Sequence, residues 1–134
     1  MAELSELQEC VQRYCARYHI MTFPISRLYD LEAEWDSTSF PYAGRKGCYA
    51  YFDESEQLIY IGKASCNSTI GIRASTYHRM ENGKLIATGG SHWPKAAKWL
   101  VTIPVHEAHQ APSLEEFLIE VLAPPANVTG RTKI

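Results

Sequence analysis

Residues 58–65 read Leu58-Ile59-Tyr60-Ile61-Gly62-Lys63-Ala64-Ser65. Leu58, Ile59 and Ile61 belong in a buried strand, yet Tyr60 places a phenol among them. Gly62 and Lys63 then add a bare backbone and an ammonium. Just upstream, GCYAYF (47–52) is also strand-like, and the polar stretch DESEQ (53–57) joins the two. Two short strands around a five-residue polar link predict a β-hairpin. Each strand carries a tyrosine beside a glycine: Gly47-Cys48-Tyr49 in the first, Tyr60-Ile61-Gly62 in the second.

Outward from this hairpin, the N-terminal side predicts an amphipathic helix over 3–19. Leu4, Leu7, Val11, Tyr14 and Tyr18 recur at three- and four-residue steps there. Residues 20–46 are mixed, with extended or turn segments at Phe23-Pro24 and Phe40-Pro41 and a short helix near 26–35. On the C-terminal side a polar loop (63–69) leads to a predicted helix over 70–82, closed by Gly83. An irregular loop at 83–94 follows. Residues 98–105, KWLVTIPV, predict a strand, and Pro104 suggests its end or an edge position. A last helix is expected over 113–122, with Ser113 and Glu116 as a capping box and Pro124-Pro125 as the stop. The expected class is α+β: a small antiparallel three-stranded sheet flanked by helices, with an extra N-terminal helical segment. The expected division is a helical extension at 1–44, packed on a core domain at 45–134.

A chain of 134 residues suits one domain with one core. No apolar run approaches a membrane span, and MAELSELQEC lacks the pattern of a secretory signal, so a cytoplasmic protein is expected. The sequons at Asn67 and Asn127 are then chance matches. Cys10, Cys15, Cys48 and Cys66 form no C-x-x-C pair and read as small core residues. His106-Glu107-Ala108-His109 is one residue too short to put two metal-ligating histidines on one helix face. A net charge of −2 argues against a generic polyanion binder. It is unevenly spread: residues 1–40 hold three Lys/Arg and seven Asp/Glu, net −4, and the remainder holds ten and eight, net +2. That permits a local phosphate-binding face.

With its two triplets, GCY and YIG, the chain resembles the GIY-YIG nuclease family, Cys48 standing where the family has an aliphatic residue. The resemblance extends downstream. Gly71-Ile72-Arg73 supplies an arginine on the helix after the second triplet. Tyr77 lies one turn later, with His78 the alternative if the register is off by one. Glu115 precedes Leu118, Ile119, Pro124 and Asn127 in the family's order, with Glu116 the rival for the glutamate. The match covers roughly residues 45–129.

The resemblance implies a metal-dependent endonuclease acting on DNA phosphodiesters. Tyr49, Tyr60, Arg73 and Glu115 would be catalytic. Glu115 would hold a divalent cation, Mg²⁺ or alternatively Mn²⁺, which keeps several waters. Arg73 offers a bidentate fork for phosphate. Lys63 and the metal would lower a phenol's pKa, so that one tyrosine acts as general base or orients the water. Gly62 would admit a phosphate close to the backbone. Lys63, Tyr77, His78 and Asn127 would complete the substrate side, Asn127 bracing the glutamate region. DNA is the expected partner, with a homodimer or protein partner supplying specificity and no membrane involved. The alternative functions are a non-cleaving nucleic-acid-binding module and a partner-binding protein that kept the fold. GKAS also hints at a phosphate-binding P-loop, but that motif needs glycine at position 57, where Gln57 stands.

Overall fold

The hairpin forms. In the computed structural model, which describes residues 2–88 and 97–127, β2 (Gly47–Phe52) pairs antiparallel with β3 (Leu58–Ala64). Tyr49 lies opposite Gly62, and Tyr51 opposite Tyr60. The register then shifts so that Phe52 faces Leu58 and Ile59 is the extra residue of a bulge. Around the hairpin stand α1 (Leu4–Arg17), β1 (Tyr29–Asp30), α2 (Leu31–Glu34), α3 (Ile70–Ala74), a 3-10 turn (Ser75–Tyr77), β4 (His78–Glu81), β5 (Lys84–Ala87), β6 (Trp99–Pro104) and α4 (Gln110–Leu122). No helix among the described residues is long and apolar enough to cross a membrane.

The class is α+β, as expected, but the main sheet has four antiparallel strands rather than three. Their order is β1-β6-β2-β3. The extra strand, β1, comes from the N-terminal segment. Two residues carry no periodicity, and only the pairing of Tyr29 with Leu100 and Asp30 with Trp99 makes them a strand. β6 therefore lies inside the sheet, and Pro104 closes it opposite Gly47 instead of marking an edge.

Both faces of the sheet are covered, which is why every residue of β2 is buried. Cys48, Ala50, Phe52, Ile61, Val101 and Ile103 face α1 and α4, meeting Leu7, Val11, Leu114 and Leu118. Tyr49, Tyr51 and Leu100 face the other way, toward Tyr29, Ile70 and Ala74. Residues 2–44 share these clusters through Leu7, Cys10, Val11, Tyr14, Phe23, Tyr29 and Leu31.

The helix expected over 70–82 stops at Ala74 and gives way to the 3-10 turn and the β4–β5 hairpin. Asn82 and Gly83 are the reason. Both have positive φ, 50° and 75°, which suits a two-residue turn whose twist matches a hairpin. Asn-Gly between two short runs is a hairpin signal, and reading Gly83 as a helix cap missed it. The irregular loop expected from 83 is thus strand over 84–87, and its residues 89–94 lie outside the described residues. The short helix expected near 26–35 is only Leu31–Glu34.

The last helix begins at Gln110, three residues before the expected start. Pro112 sits within its first turn, where its missing N–H costs nothing. Ser113 is therefore no cap: its Oγ accepts a hydrogen bond from the Tyr14 hydroxyl at 2.7 Å, tying α4 to α1. The Gln110 side chain instead accepts from the backbone N–H groups of His106 (3.1 Å) and Glu107 (2.8 Å).

β3 is an edge strand, and such edges invite unwanted pairing. The chain after α4 covers part of it. The Ala126 N–H donates to the Ile59 carbonyl at 2.9 Å. Asn127 accepts from the Ile61 N–H (2.8 Å) and donates to the Ile61 carbonyl (2.7 Å), so one side-chain amide imitates a neighbouring strand. Replacing Asn127 by Ala strands both Ile61 groups in a buried site. We expect a loss of about 2–4 kcal/mol in urea unfolding, and a loss below about 1 kcal/mol would show that the edge is held by other contacts.

Candidate active site

The antiparallel register puts Tyr49, Tyr51, Tyr60 and Gly62 on one face of the β2–β3 hairpin. Gly62 answers to Tyr49 rather than to a ligand. A Cβ added there would lie 2.4 Å from the Tyr49 Cζ, so the missing side chain is what lets the ring cross the neighbouring strand. The expectation that Gly62 leaves its backbone open to a phosphate is therefore corrected: the Tyr49 ring occupies that space.

Tyr77 meets these tyrosines from above. Its hydroxyl lies 3.3 Å from that of Tyr49 and 3.1 Å from that of Tyr60. Its ring tilts against three others, with centroids 5.3 Å from Tyr60, 5.7 Å from Tyr51 and 6.0 Å from Tyr49. Tyr51 donates its hydroxyl to the Ala74 carbonyl at the end of α3, which seats the 3-10 turn on the sheet. Thr69 caps α3, accepting from the Ile72 N–H at 3.3 Å. Arg73, in the last turn of α3, is exposed and couples electrostatically to Tyr49 most strongly, then to Tyr77 and Tyr60.

Glu115 arrives from the other side. Burial raises its carboxyl pKa, while Lys63 and Arg73 oppose that rise. Lys63 pairs with Cys48 and so belongs to the α4 face, not the tyrosine face. Because β3 is the sheet edge, groups from both faces meet along it: Lys63 and Glu115 below, Tyr60, Tyr77 and Arg73 above. Glu116 points elsewhere, into a groove with Tyr14, Tyr18, Ser113, Phe117 and Glu120. Between the two candidate glutamates, only Glu115 faces the phenols.

Two residues assigned to the substrate side lie outside this cluster. His78 is buried, packs on the Tyr51 ring at 5.5 Å, and accepts from the Ala97 N–H at 3.4 Å. It opens β4 directly after the 3-10 turn that ends at Tyr77, and its Nε2 is engaged by the Ala97 N–H. Asn127 is committed to the Ile61 backbone and braces the strand, not the glutamate. Neither is available to a ligand at the phenols.

The electrostatics of the phenols also differ from expectation. Lys63 and a metal were expected to lower a tyrosine pKa. Instead burial raises Tyr49 far above the ordinary phenol range, and its hydrogen bond with Tyr77 adds to the rise. Tyr60 is raised for the same reasons in the same order, with Glu115 adding to it and Arg73 opposing it weakly. At neutral pH burial, together with the hydrogen bonds to Tyr77, keeps both phenols protonated.

The side chains present can be tested against the divalent cation that the family resemblance implies. Among the described residues no group of three or more His, Cys, Asp or Glu converges on a point, so no site could enclose a metal with side chains alone. One desolvated carboxylate beside phenol hydroxyls would suit Mg²⁺ or Mn²⁺, which take one or two carboxylates and keep waters or phosphate oxygens for the remainder. The chain matches no protein-family model, no curated protein and no solved structure.

Two consequences of this electrostatic arrangement are measurable. The folded pKa of Glu115 is raised, so the native state favours the protonated form. Its stability contribution is fully present below the unfolded carboxyl pKa and is lost as pH rises through the folded value. Glu115→Gln should therefore raise the melting temperature of the protein at pH 7.5 in EDTA. A lower melting temperature in EDTA would contradict this reading of Glu115.

His78 behaves in the opposite sense. Burial pushes its imidazolium down to a pKa of about 4, so its contribution is present above the unfolded value and is lost as pH falls from about 6.5 toward 4. The loss should be up to about 3 kcal/mol in urea unfolding. An NMR titration of the His78 ring with a midpoint near 6.5 would refute it.

Proposed function

We propose that this protein is a metal-dependent endonuclease of the GIY-YIG type that hydrolyses DNA phosphodiester bonds. The observation that carries the proposal is the convergence of three phenol hydroxyls, those of Tyr49, Tyr77 and Tyr60, beside Arg73 and the half-buried carboxylate of Glu115. A structural core needs no such gathering: phenols satisfy themselves on nearby carbonyls, as Tyr51 does.

In this reading Arg73 clamps the non-bridging phosphate oxygens with its planar fork. Glu115 would hold the cation, which when bound stabilises the negative charge growing on phosphate oxygens. The phenols act as neutral groups. Tyr60 and Tyr77 hold the attacking water by hydrogen bonds, and positioning alone lowers the barrier substantially. The water's proton can pass to the Tyr60 oxygen as the Tyr60 proton passes to Tyr77, whose own proton leaves to solvent. As the water oxygen bonds to phosphorus, the P–O bond to the leaving sugar oxygen breaks, and that oxygen takes a proton back from solvent. No free tyrosinate is needed, in keeping with the raised phenol pKa values.

The same raised pKa values favour one second reading, a nucleic-acid-binding module that does not cut. Plasmid nicking with Mg²⁺ or Mn²⁺ separates the two. Tyr49→Phe and Tyr60→Phe should fold and cleave at least about tenfold more slowly. Arg73→Lys should be nearly as damaging as Arg73→Ala, since an ammonium cannot replace the fork. Glu115→Gln should abolish cleavage. No cleavage by the parent on any DNA substrate with either metal, or parental rates in both phenylalanine variants, would overturn the proposal.

A further inference from the structure

The chain is net negative, yet its charges are segregated. No acidic residue falls between 37 and 52 or between 58 and 80, the stretches that hold Arg45, Lys46, Lys63, Arg73 and Arg79. The fold draws these stretches together. β2 pairs with β3, and the loop before β2 lies along the start of α3. There the Ile70 N–H donates to the Arg45 carbonyl at 2.9 Å, and the Gly71 N–H to the Ala43 carbonyl at 2.8 Å. From the sheet, the Thr102 hydroxyl donates to the Pro41 carbonyl at 2.7 Å. Arg45 and Arg73 are exposed beside this seam. Arg45 donates to the Val105 carbonyl (3.2 Å) and Lys46 to the Ser68 carbonyl (2.9 Å), which position both cations without neutralising them. Arg79 is paired with Glu81 and adds little.

The same loop displays aromatic rings. Tyr29, Trp35 and Phe40 wall a cavity of about 290 Å³, and Thr38, Ser39 and Ser75 bring hydroxyls to its lining. That volume sits at the lower end of ligand pockets. Tyr29 is a fixed floor: it is fully buried, its hydroxyl is held by the Glu34 and Thr38 carbonyls, and Arg27 lies over its ring. Phe40 stands edge-on to Tyr29 at 5.0 Å and to Trp35 at 5.6 Å. Trp35 and Phe40 are half-buried and keep ring surface open. Tyr42, on the same turn, is 39% exposed with φ 57°, a conformation uncommon for a bulky side chain. Ser75 follows Arg73 by two residues, so the cavity opens within one helical turn of the guanidinium.

The partner for such a surface brings flat apolar faces, hydrogen-bonding edges and closely spaced negative charge. An unpaired nucleotide strand has all three. In a duplex the base faces are stacked on one another, and only an unstacked base can lie on Trp35 or Tyr42 or enter the cavity. An apolar peptide would leave Arg45 and Arg73 unanswered. The acids beside Trp35 do not oppose this. Glu34 is paired with Arg27 at 2.6 Å, and Asp36 is absent from the cavity lining.

We infer that Trp35, Phe40 and Tyr42, with Arg45 and Arg73, form a docking surface for an unpaired DNA strand, so that the proposed cleavage acts beside a single-stranded segment. The choice of DNA rests on the function proposed above. The surface gives the segment before β2, which lies outside the two triplets, a part in selecting the substrate.

The test uses the full chain, labelled with ¹⁵N, in EDTA so that no strand is cut. The probes are a sixteen-nucleotide DNA strand of mixed sequence, the blunt duplex it forms with its complement, the same strand with four consecutive abasic sites, and an RNA strand of the same sequence. The DNA strand should bind at least about tenfold more tightly than the duplex. It should shift the Trp35 indole N–H and the amides of residues 38–45 and 72–75. The abasic sites should weaken binding at least about fivefold. Tyr42→Gly should do the same while melting at or above the parental temperature, because glycine suits the positive φ and the ring is exposed. Tyr42→Asn tolerates the same backbone and should weaken binding equally. Equal or tighter binding of the duplex, undiminished binding of the abasic strand, or shifts that leave Trp35 and residues 38–45 unmoved would each overturn the inference. RNA binding tenfold tighter would overturn the choice of DNA. Strand binding at this surface without cleavage under any metal would remove the nuclease proposal and leave the docking surface. Plasmid cleavage without preference for the unpaired strand would do the reverse.

Discussion

The Tyr49 ring crosses its neighbouring strand at the one position where that strand has no side chain. Opposite Tyr49 stands Gly62, and any Cβ there would lie 2.4 Å from the ring, far inside van der Waals contact. Ordinary cross-strand partners would stand the phenol upright off the sheet. Here it lies across β3, and its hydroxyl reaches Tyr77 at the strand's outer side. The position of Tyr77 follows from that contact and from Tyr51, which anchors the end of α3. Arg73 is set by the same short helix. One glycine thus determines where three hydroxyls and a guanidinium meet.

The meeting place is the edge of a sheet, which has a structural cost and a chemical use. An uncovered edge invites association with other chains. The segment after α4 closes part of it with Ala126 and Asn127, leaving the stretch around Tyr60 and Lys63 for groups from both faces. An interior strand could not offer this, because its two faces never meet. The edge lets Glu115, carried by the helix on one face, approach phenols that stand on the other.

Burial dominates the electrostatics there. The phenols are held protonated and the Glu115 carboxyl is raised, although cations lie nearby. Desolvation of a phenolate outweighs the attraction of an exposed arginine, whose field is screened by water. The unfavourable burial of Glu115 is a strain that a bound cation would relieve. Stability given up in this way is typical of functional sites.

Much was legible before any coordinates. The two strands of the central hairpin, the first helix and the last were visible in hydrophobic period, because buried faces must be apolar at spacings of two or of about 3.6. Tyr49, Tyr60, Arg73 and Glu115 stood out through the family resemblance their order carries, and the fold brings their side chains within electrostatic reach of one another. Other features depend on partners remote in sequence. β1 exists through two pairings with β6, and Ser113 serves α1 instead of capping its own helix. His78 and Tyr77 are adjacent in sequence and both pack on the Tyr51 ring, yet Tyr77 ends the 3-10 turn among the hydroxyls while His78 opens β4 and is engaged by Ala97. Asn127 looked like a site residue and is a strand clamp. Periodicity and residue chemistry are local properties, so the sequence by itself determined which segments are helix or strand and which side chains can do chemistry. Which of those side chains face one another, and whether burial leaves them charged, is set by packing across the sheet, and only the tertiary structure decided it.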